Sequence, residues 1–248
     1  MVKSVRILQD NHQVAEVAAI DFVAYLTECL DSKPLVHVSI TGGSVGILTL
    51  AKIAELPGVA ELDWSRVHIW WGDERFVPLD STDRNSLQAH NALLVKLPNA
   101  NLHQFPAYNI HDGEIDEQLD QAAVCFEAEV SSWSNAENGN LIFDLTLLGM
   151  GPDGHVASLF PGHAEPHTGV VVVAEHASPK PPPHRLSFSY EAINRSVEIW
   201  FLVAGADKAQ AVEVAFSGNP QLLPVGRVSG LQKTRWYLDQ AAAQLLSK

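Results

Sequence analysis

Along the 248 residues of this chain, segments whose apolar residues recur at helical spacings alternate with short runs rich in β-branched residues. Val14, Val17 and Leu26 recur in this way, and the run at 35–40 that follows has the composition of a strand. This alternation is typical of α/β proteins, in which the strands pair mostly in parallel. We therefore predict an α/β fold built on a mostly parallel sheet.

The predicted elements extend from one end of the chain to the other. Strands are expected at 35–40, 67–71, 141–148, 185–189, 197–203 and 235–238, with a further valine run at 170–173. Helices are expected at 10–31, 46–56, 86–95, 114–133, 207–216 and 239–246. The strongest candidates for a domain boundary are the loops at 134–141 and 177–185, but neither loop separates segments of different composition. We predict one domain over residues 1–248.

Charge and composition limit the class of partner. The formal net charge of -13 argues against nucleic acid and against an anionic membrane surface, because both attract clustered Lys and Arg. An acidic exterior remains compatible with a small phosphorylated substrate.

The chain has neither a signal-like apolar segment at its start nor eighteen consecutive apolar residues, so we expect a cytoplasmic protein. Cys29 and Cys125 lie in apolar helical segments and are expected to be reduced core thiols.

Ligands of open α/β sheets bind at the carboxyl ends of strands, so the loops that follow strands hold the candidate site residues. The first loop contains Gly42, Gly43 and Ser44, where glycines let the backbone approach an anion and the following helix offers free N–H groups. The second contains Asp73 and Arg75, and an arginine fork suits phosphate or carboxylate. A ligand-free glycine turn and a solvated charged turn are the respective alternatives.

A third loop, GMGPDGHVASLFP at 149–161, places Asp153 and His155 after the predicted strand at 141–148, at the expected start of a short helix. Histidine can take a proton from water near neutral pH, and Asp153 can orient its imidazole. The alternative is a surface histidine in a Gly-Pro turn. Arg185 and Lys208 form a fourth element, and Lys208 near a helix N-terminus is unfavourable unless an anion binds there.

Other chemistries have weaker support in the sequence. Ser44 and Ser158 lack the surroundings of a serine nucleophile, which usually stands in a Gly-x-Ser-x-Gly elbow. His163 and His167 have the spacing of a helical zinc pair, but the prolines and glycines around them make a helix there improbable. We expect neither a metal nor another cofactor.

Taken together, the segments TGGS, WGDERFVP, FDLTLLGMGPDGHVASLFPG, HRLSF and GADKA resemble the 6-phosphogluconolactonase family over almost the whole chain. Members of this family hydrolyse 6-phosphoglucono-δ-lactone in the oxidative pentose phosphate pathway without a metal. The resemblance implies a Rossmann-like open sheet with helices on both faces. It also implies a phosphorylated sugar lactone as the substrate. Whether the chain is a monomer or a small homo-oligomer stays open.

The resemblance also implies roles for individual residues. It makes His155 the general base, with Asp153 beside it and Arg75 in the site, and it makes Arg185 and Lys208 phosphate ligands. The glycine loop and Asp73 complete the predicted substrate site, whereas the proline-rich loop at 177–185 is given no role.

Two alternatives stay open. A related deaminase would carry an acid where this chain has Phe160, and a non-catalytic sugar-phosphate sensor would be expected to carry a DNA-binding segment, which this sequence lacks.

Overall fold

The computed structural model of the chain describes residues 2–134, 140–163 and 168–246. Its strands are β1 (Val2–Leu8), β2 (Val36–Ile40), β3 (Val67–Trp71), β4 (Asp73–Arg75), β5 (Asn101–His103), β6 (Leu145–Leu148), β7 (Val172–Glu175), β8 (Arg185–Phe188), β9 (Glu198–Val203) and β10 (Lys233–Asp239). Its α-helices are α1 (Asn11–Ser32), α2 (Gly43–Ile53), α3 (Asn85–Ala92), α4 (Ile115–Ser132), α5 (Tyr190–Ile193) and α6 (Ala209–Ala215).

Seven strands form one sheet in the order β1-β10-β9-β6-β2-β3-β5. Every neighbouring pair in this sheet is parallel, as the alternation of helices and strands predicts. The strands β3, β6 and β9 are buried along their whole length, which is why they are mostly apolar in the sequence, with one polar residue in each, His68, Thr146 and Glu198. The prediction of an α/β fold with a mostly parallel sheet is confirmed.

Helices cover both faces of this sheet. Tyr25 of α1 packs on Trp200 of β9, with ring centroids 5.7 Å apart. On the opposite face Phe126 of α4 packs edge-on against Trp70 of β3, at 6.1 Å. Aromatic side chains thus fill the layer between sheet and helix on each side. The helical arrangement implied by the family resemblance is therefore present.

A second, smaller sheet of order β4-β8-β7 is antiparallel and was not predicted as a separate sheet. Its strand β4 lies in the segment that the sequence analysis treats as a polar loop, because Asp73, Glu74 and Arg75 do not have the composition of a strand. Its strand β8 begins at Arg185 as predicted but pairs outside the main sheet. The sheet brings the segments around residues 73–75 and 185 together in space.

The predicted closing helix at 239–246 is wrong. Strand β10 extends to Asp239, whose carboxylate accepts hydrogen bonds from the N–H groups of Gly205 and Ala242, and residues 240–246 form turns. In this segment Ala243 N donates to Asp239 O and Leu246 N donates to Ala243 O, both at 3.0 Å, and these isolated bonds close turns.

Other boundaries differ from the predictions. The predicted helix at 46–56 is α2, which begins three residues earlier at Gly43, and the predicted strand at 141–148 is regular only over β6. The edge strands β1 and β5 were not predicted, because β1 exposes most of its side chains and β5 has three residues. The predicted break at 134–141 lies mostly outside the described residues.

The two cysteines occupy different environments. Cys29 lies on the buried face of α1, as expected, whereas Cys125 lies on the exposed face of α4. The interpretation of both as core thiols is therefore wrong for Cys125, because a single apolar-looking segment does not show which face of a helix turns inward. In the described part of the chain no helix is long and apolar enough to cross a membrane.

A row of three histidines crosses strands β2, β3 and β5. Trp70 Nε1 donates to His37 Nδ1 at 3.2 Å, which requires an unprotonated Nδ1 on His37, and the imidazoles of His37 and His68 stack at 4.8 Å. His68 Nδ1 lies 2.9 Å from His103 Nε2, and His103 Nδ1 lies 2.8 Å from Glu129 Oε1. Desolvation, together with His68 and His103, lowers the pKa of His37 to about 3.

We expect this row to make the protein sensitive to acid. Unfolded His37 takes up a proton below its ordinary pKa of 6.5, whereas the folded residue stays neutral to about pH 3. Its contribution to the free energy of unfolding is therefore complete above pH 6.5 and is lost as the pH falls toward 3, by an amount on the order of a few kcal/mol. Urea unfolding of the wild type and of His37→Gln at several pH values measures this loss.

The glutamine side chain introduced by His37→Gln would still accept from Trp70 but would not titrate, so this variant should lose less stability between pH 6.5 and pH 4 than the wild type. His90→Gln on the exposed surface is the matched control and should follow the wild type. An equal pH dependence in all three proteins would contradict the assignment.

Candidate active site

The candidate site lies at the carboxyl ends of β2 and β6, where the connections from these two strands run to opposite sides of the sheet. Strands β2 and β6 are neighbours, but the chain continues from β2 toward β3 on one side and from β6 toward β9 on the other. The loops after β2 and β6 therefore separate, and a crevice opens at the carboxyl ends of the strands. A cavity of about 320 Å³ occupies this position.

The structure brings the predicted site residues together. Eight of the nine line the cavity, and Asp153 lies directly behind His155. Those on the cavity wall are Gly42, Gly43, Ser44, Asp73, Arg75, His155, Arg185 and Lys208. They come from the loops after β2, β3, β6 and β9 and from the start of β8, so five separate parts of the sequence build one wall.

His155 and Asp153 form a hydrogen-bonded pair. His155 Nδ1 lies 2.5 Å from Asp153 Oδ1, and an ionised carboxylate can only accept, so the Nδ1 of His155 carries the proton. Nε2 is left with a free lone pair on a residue that lines the cavity. Burial lowers the pKa of His155, and the carboxylate of Asp153 only partly offsets this effect. The imidazole is therefore neutral at neutral pH and can accept a proton through Nε2.

The loop that carries this pair is a tight turn, and the predicted short helix at its start is absent. Gly151 N donates to His155 O at 3.0 Å, which closes the loop on itself. A Cβ at position 151 would lie 2.0 Å from His155 Nδ1, so the Asp-His pair needs glycine there. Gly154 has a φ of +78°, a conformation that glycine adopts without strain, and this φ turns the chain away from a helix.

Phe160 closes the cavity beside the histidine. Its ring is buried and its centroid lies 4.7 Å from that of the His155 imidazole. The apolar ring contributes to the desolvation that lowers the pKa of His155. It also fixes the ring plane of the imidazole without offering it a second hydrogen-bonding partner.

Helix α2 points its N-terminus at the cavity. Its cap is Gly42, and no side chain accepts a hydrogen bond from the first turn, so the N–H groups at the start of the helix are available to an anion. A Cβ at position 42 would lie 2.0 Å from Asn85 Oδ1, which explains why glycine stands there. Gly43 has a φ of +77°, which allows the sharp turn from β2 into the helix.

Three predicted cationic residues line the cavity, and they differ in how far their charged groups are already bonded to the protein. Arg185 is buried, and its Nε and Nη2 donate to backbone carbonyls of residues 180–182, with Nη1 lying 4.0 Å from Asp73 Oδ2. Arg75 Nη1 donates to Asp83 O at 2.6 Å. Lys208 pairs with Asp207 at 2.8 Å and reaches the cavity wall. Arg185 thus holds the proline-rich loop in place and keeps mainly Nη1 for a ligand.

Asp73 is more a fixed part of the wall than a free ligand. It is buried, and its Oδ2 accepts from Ser158 Oγ at 2.6 Å, which connects the loops after β3 and β6. The neighbouring Glu74 accepts from the N–H groups of Asn85 and Ser86 and so caps α3. These carboxylates hold in position the loops that line the cavity.

Two further residues of the cavity were missed by sequence reasoning. Lys180 lies in the proline-rich loop at 177–185, to which no role was assigned, and it lines the cavity together with Pro181. Burial lowers the pKa of Lys180, and Lys208 and Arg185 lower it further, whereas Asp153 acts in the opposite direction. An anion beside Lys180 would offset both effects. This loop joins β7 to β8 in the small antiparallel sheet, so a rule that places ligands at the carboxyl ends of parallel strands does not identify it.

Asn85 is the second missed residue. Its Nδ2 donates to Asp73 O at 2.9 Å, and its buried Oδ1 has no hydrogen-bond partner among the described residues. Buried polar atoms are usually paired, so an unpaired oxygen on a cavity wall indicates a place for a ligand donor such as a hydroxyl group. No sequence signal distinguishes Asn85 from the other polar residues at 80–85.

The chain is similar to known proteins over almost its whole length. Residues 9–236 match the family model described as "Glucosamine-6-phosphate isomerases/6-phosphogluconolactonase". The chain is 40% identical to 6-phosphogluconolactonase of Streptomyces coelicolor, covering 97% of this chain and 93% of that protein. It is 38% identical to 6-phosphogluconolactonase of Mycobacterium leprae, covering 98% of each. The solved structure of 6-phosphogluconolactonase from Trypanosoma brucei superposes with a TM-score of 0.87 at 24% identity, over 99% of each chain, and so shows the same fold.

The fit between Gly151 and the Asp-His pair can be tested without any substrate. In Gly151→Ala the added methyl would displace the side chains of His155 and Asp153, since both can rotate away, and the fold should survive. Proton NMR should show a downfield imidazole N–H signal in the wild type, because the Nδ1–H of His155 is bonded to a carboxylate, and this signal should vanish in the variant.

Gly218→Ala is the matched control, because a Cβ there meets no atom within 4 Å. This variant should keep the signal. Retention of the signal in Gly151→Ala, with the assignment to His155 established by its absence in His155→Asn, would show that the pair does not depend on glycine.

Proposed function

The chain belongs to the glucosamine-6-phosphate isomerase/6-phosphogluconolactonase family, and we propose that it hydrolyses 6-phospho-D-glucono-1,5-lactone with His155 as the general base. The enzyme is a sugar-phosphate lactone hydrolase, in agreement with its similarity to the lactonases of Streptomyces and Mycobacterium. The observation that carries the catalytic proposal is the Asp153–His155 pair, which leaves Nε2 as a neutral base on the wall of a cationic cavity.

The phosphate group is assigned to the cationic end of the cavity. The free N–H groups at the start of α2, with Ser44, suit phosphate oxygens, because a helix N-terminus attracts anions. Lys208 and the Nη1 of Arg185 add positive charge, and Lys180 lines the same cavity and interacts electrostatically with both of them and with Asp153. Binding at this end fixes the distant ring, so remote binding energy is used to orient C1 toward His155.

Hydrolysis then proceeds by proton transfer through one nitrogen. His155 Nε2 removes a proton from water as the water oxygen forms a bond to C1 of the lactone. Asp153 stabilises the imidazolium that results, because its carboxylate stays bonded to the Nδ1–H. A base in this position contributes on the order of 10²–10⁴-fold to the rate.

The tetrahedral intermediate carries a negative charge on the former carbonyl oxygen. Lys180, which faces Asp153 and lowers the pKa of His155, is the cation assigned to this oxyanion. Collapse of the intermediate breaks the bond between C1 and the ring oxygen, and the imidazolium returns its proton to that oxygen. The product is 6-phosphogluconate. Each step uses residues of one chain and needs no cofactor, so the proposal holds for a monomer or a small homo-oligomer.

Phe160 favours hydrolysis over the isomerase reaction of the same family. An amino-sugar phosphate isomerase needs an acid to open the ring, and alignment on Asp-Gly-His places Phe160 at the position of that acid. In this structure the Phe160 ring packs on the imidazole, at 4.7 Å between centroids, and its phenyl group cannot donate a proton. We therefore expect no ammonia release from glucosamine 6-phosphate.

The role of His155 is tested with His155→Asn. Asn has a similar reach and polarity, so the turn and the binding of 6-phosphogluconate should persist, but its amide cannot take a proton near neutral pH. We expect kcat to fall by roughly 10²-fold or more, after subtraction of the spontaneous hydrolysis measured without enzyme. Since burial lowers the pKa of His155, the wild-type rate should hold to below pH 6.5 and decline only on further acidification. A folded variant with a rate within a few-fold of wild type would contradict the mechanism.

The cations are distinguished by comparing two substrates. Lys208→Ala should reduce kcat/KM for the phosphorylated lactone and leave the rate with plain gluconolactone nearly unchanged, because a charge that contacts only phosphate is irrelevant without it. Lys180→Ala should reduce kcat/KM for both, since this lysine also faces the reacting carbonyl. Lys233→Ala, at the amino end of β10, is the control and should affect neither. A loss confined to the phosphorylated lactone in Lys180→Ala would assign Lys180 to the phosphate instead.

A further inference from the structure

Two histidines face each other at the end of the β7–β8 hairpin, outside the cavity. The last residues paired in this hairpin are Glu175 and Arg185, so His176 and His184 stand opposite each other one step beyond. Because side chains alternate along a strand, both imidazoles lie on the face opposite to Arg185. Their ring centroids are 6.2 Å apart and the rings are nearly perpendicular.

Helix α4 presents two carboxylates to this pair. Asp116 lies in the first turn and Asp120 one turn later, so both side chains fall on the same helix face. His176 Nδ1 lies 3.0 Å and His184 Nε2 lies 2.9 Å from the same oxygen, Oδ1 of Asp116. One carboxylate oxygen and two imidazole nitrogens thus converge, with all three atoms within 4.8 Å of one another.

We propose that Asp116, His176 and His184 form a binding site for a divalent transition-metal ion of the Zn²⁺ type. Two imidazole nitrogens and one carboxylate oxygen are a ligand set that zinc accepts, with water in the fourth position of a tetrahedron. The solvent-exposed side chain of Asp116 leaves that position open to water. The oxygen-to-nitrogen distances of 2.9 and 3.0 Å are close to the edges of such a tetrahedron, and the two nitrogens lie within 4.8 Å of each other.

Asp120 orients one of the two histidine ligands. Its Oδ1 lies 2.9 Å from His176 Nε2, the ring nitrogen that does not face the site. A carboxylate on that nitrogen keeps the proton on Nε2 and directs the lone pair of Nδ1 toward the metal, as occurs in many zinc sites. The cluster therefore contains both a set of ligands and a carboxylate that orients one of them.

A metal ion at this place would join α4 to both ends of one loop. His176 and His184 flank the loop at 177–183, which carries Lys180 and Pro181 into the cavity wall. The ion stands on the outer side of the hairpin and contacts no residue assigned to hydrolysis. Its function is to hold the cavity loop against the helix, and the proposal does not depend on the reaction mechanism above.

The experiment is calorimetric titration of the chelator-treated full chain with Zn²⁺ alone. We expect one ion to bind to the wild type, with affinity reduced more than tenfold in His176→Gln, His184→Gln and Asp116→Asn. Asp120→Asn keeps all three ligands and should weaken binding by roughly 10–100-fold, the range typical of a residue that orients a ligand. His90→Gln removes an exposed histidine elsewhere and should bind like the wild type.

Cobalt provides a second readout on the same proteins. Co²⁺ in a four-coordinate site absorbs strongly in the visible range, so the wild type should show these bands and His184→Gln should lose them. Melting temperatures of the metal-free proteins show whether a variant has lost its fold. If His184→Gln does not fold, Asp116→Asn is used as the ligand variant in its place. Absence of zinc binding up to millimolar concentrations, or unchanged binding in the folded ligand variants, would overturn the proposal.

Discussion

The parallel pairing of β2 with β6 is the contact on which the site depends. Parallel strands present all their carboxyl ends at one edge of the sheet, and between these two strands the connections diverge. The glycine turn into α2 and the turn that carries His155 therefore face each other across the cavity. If another strand stood between β2 and β6, the start of α2 and His155 would no longer border one cavity.

The sequence predicts the elements whose signal is local and misses those set by distant pairing. Strand β3 is predicted at its observed bounds because both of its faces are buried, which leaves an apolar run interrupted only by His68. Strand β4 consists of Asp73, Glu74 and Arg75 and becomes a strand only because it can pair with β8, more than 100 residues later. The closing segment is another case, because its helical spacing is present but the Asp239 carboxylate accepts from Gly205 N and Ala242 N and the residues after β10 form turns.

The candidate site divides in the same way. Residues in loops after strands, such as Gly42 and His155, could be proposed because the fold rule says where such loops meet. Lys180 could not, because it reaches the cavity from the loop that joins β7 to β8 in the small antiparallel sheet, and its position depends on carbonyl groups held by Arg185. The unpaired Oδ1 of Asn85 is likewise visible only in three dimensions.

The division of the cavity between loops has an evolutionary consequence. The groups proposed to hold the phosphate belong to α2, β8 and the loop after β9, whereas the base and Phe160 belong to the single loop after β6. A gene encoding this scaffold can therefore acquire a different reaction through changes in one short segment while its recognition of 6-phosphate sugars is inherited intact. A family that combines isomerases with lactonases is the outcome expected from such modular descent.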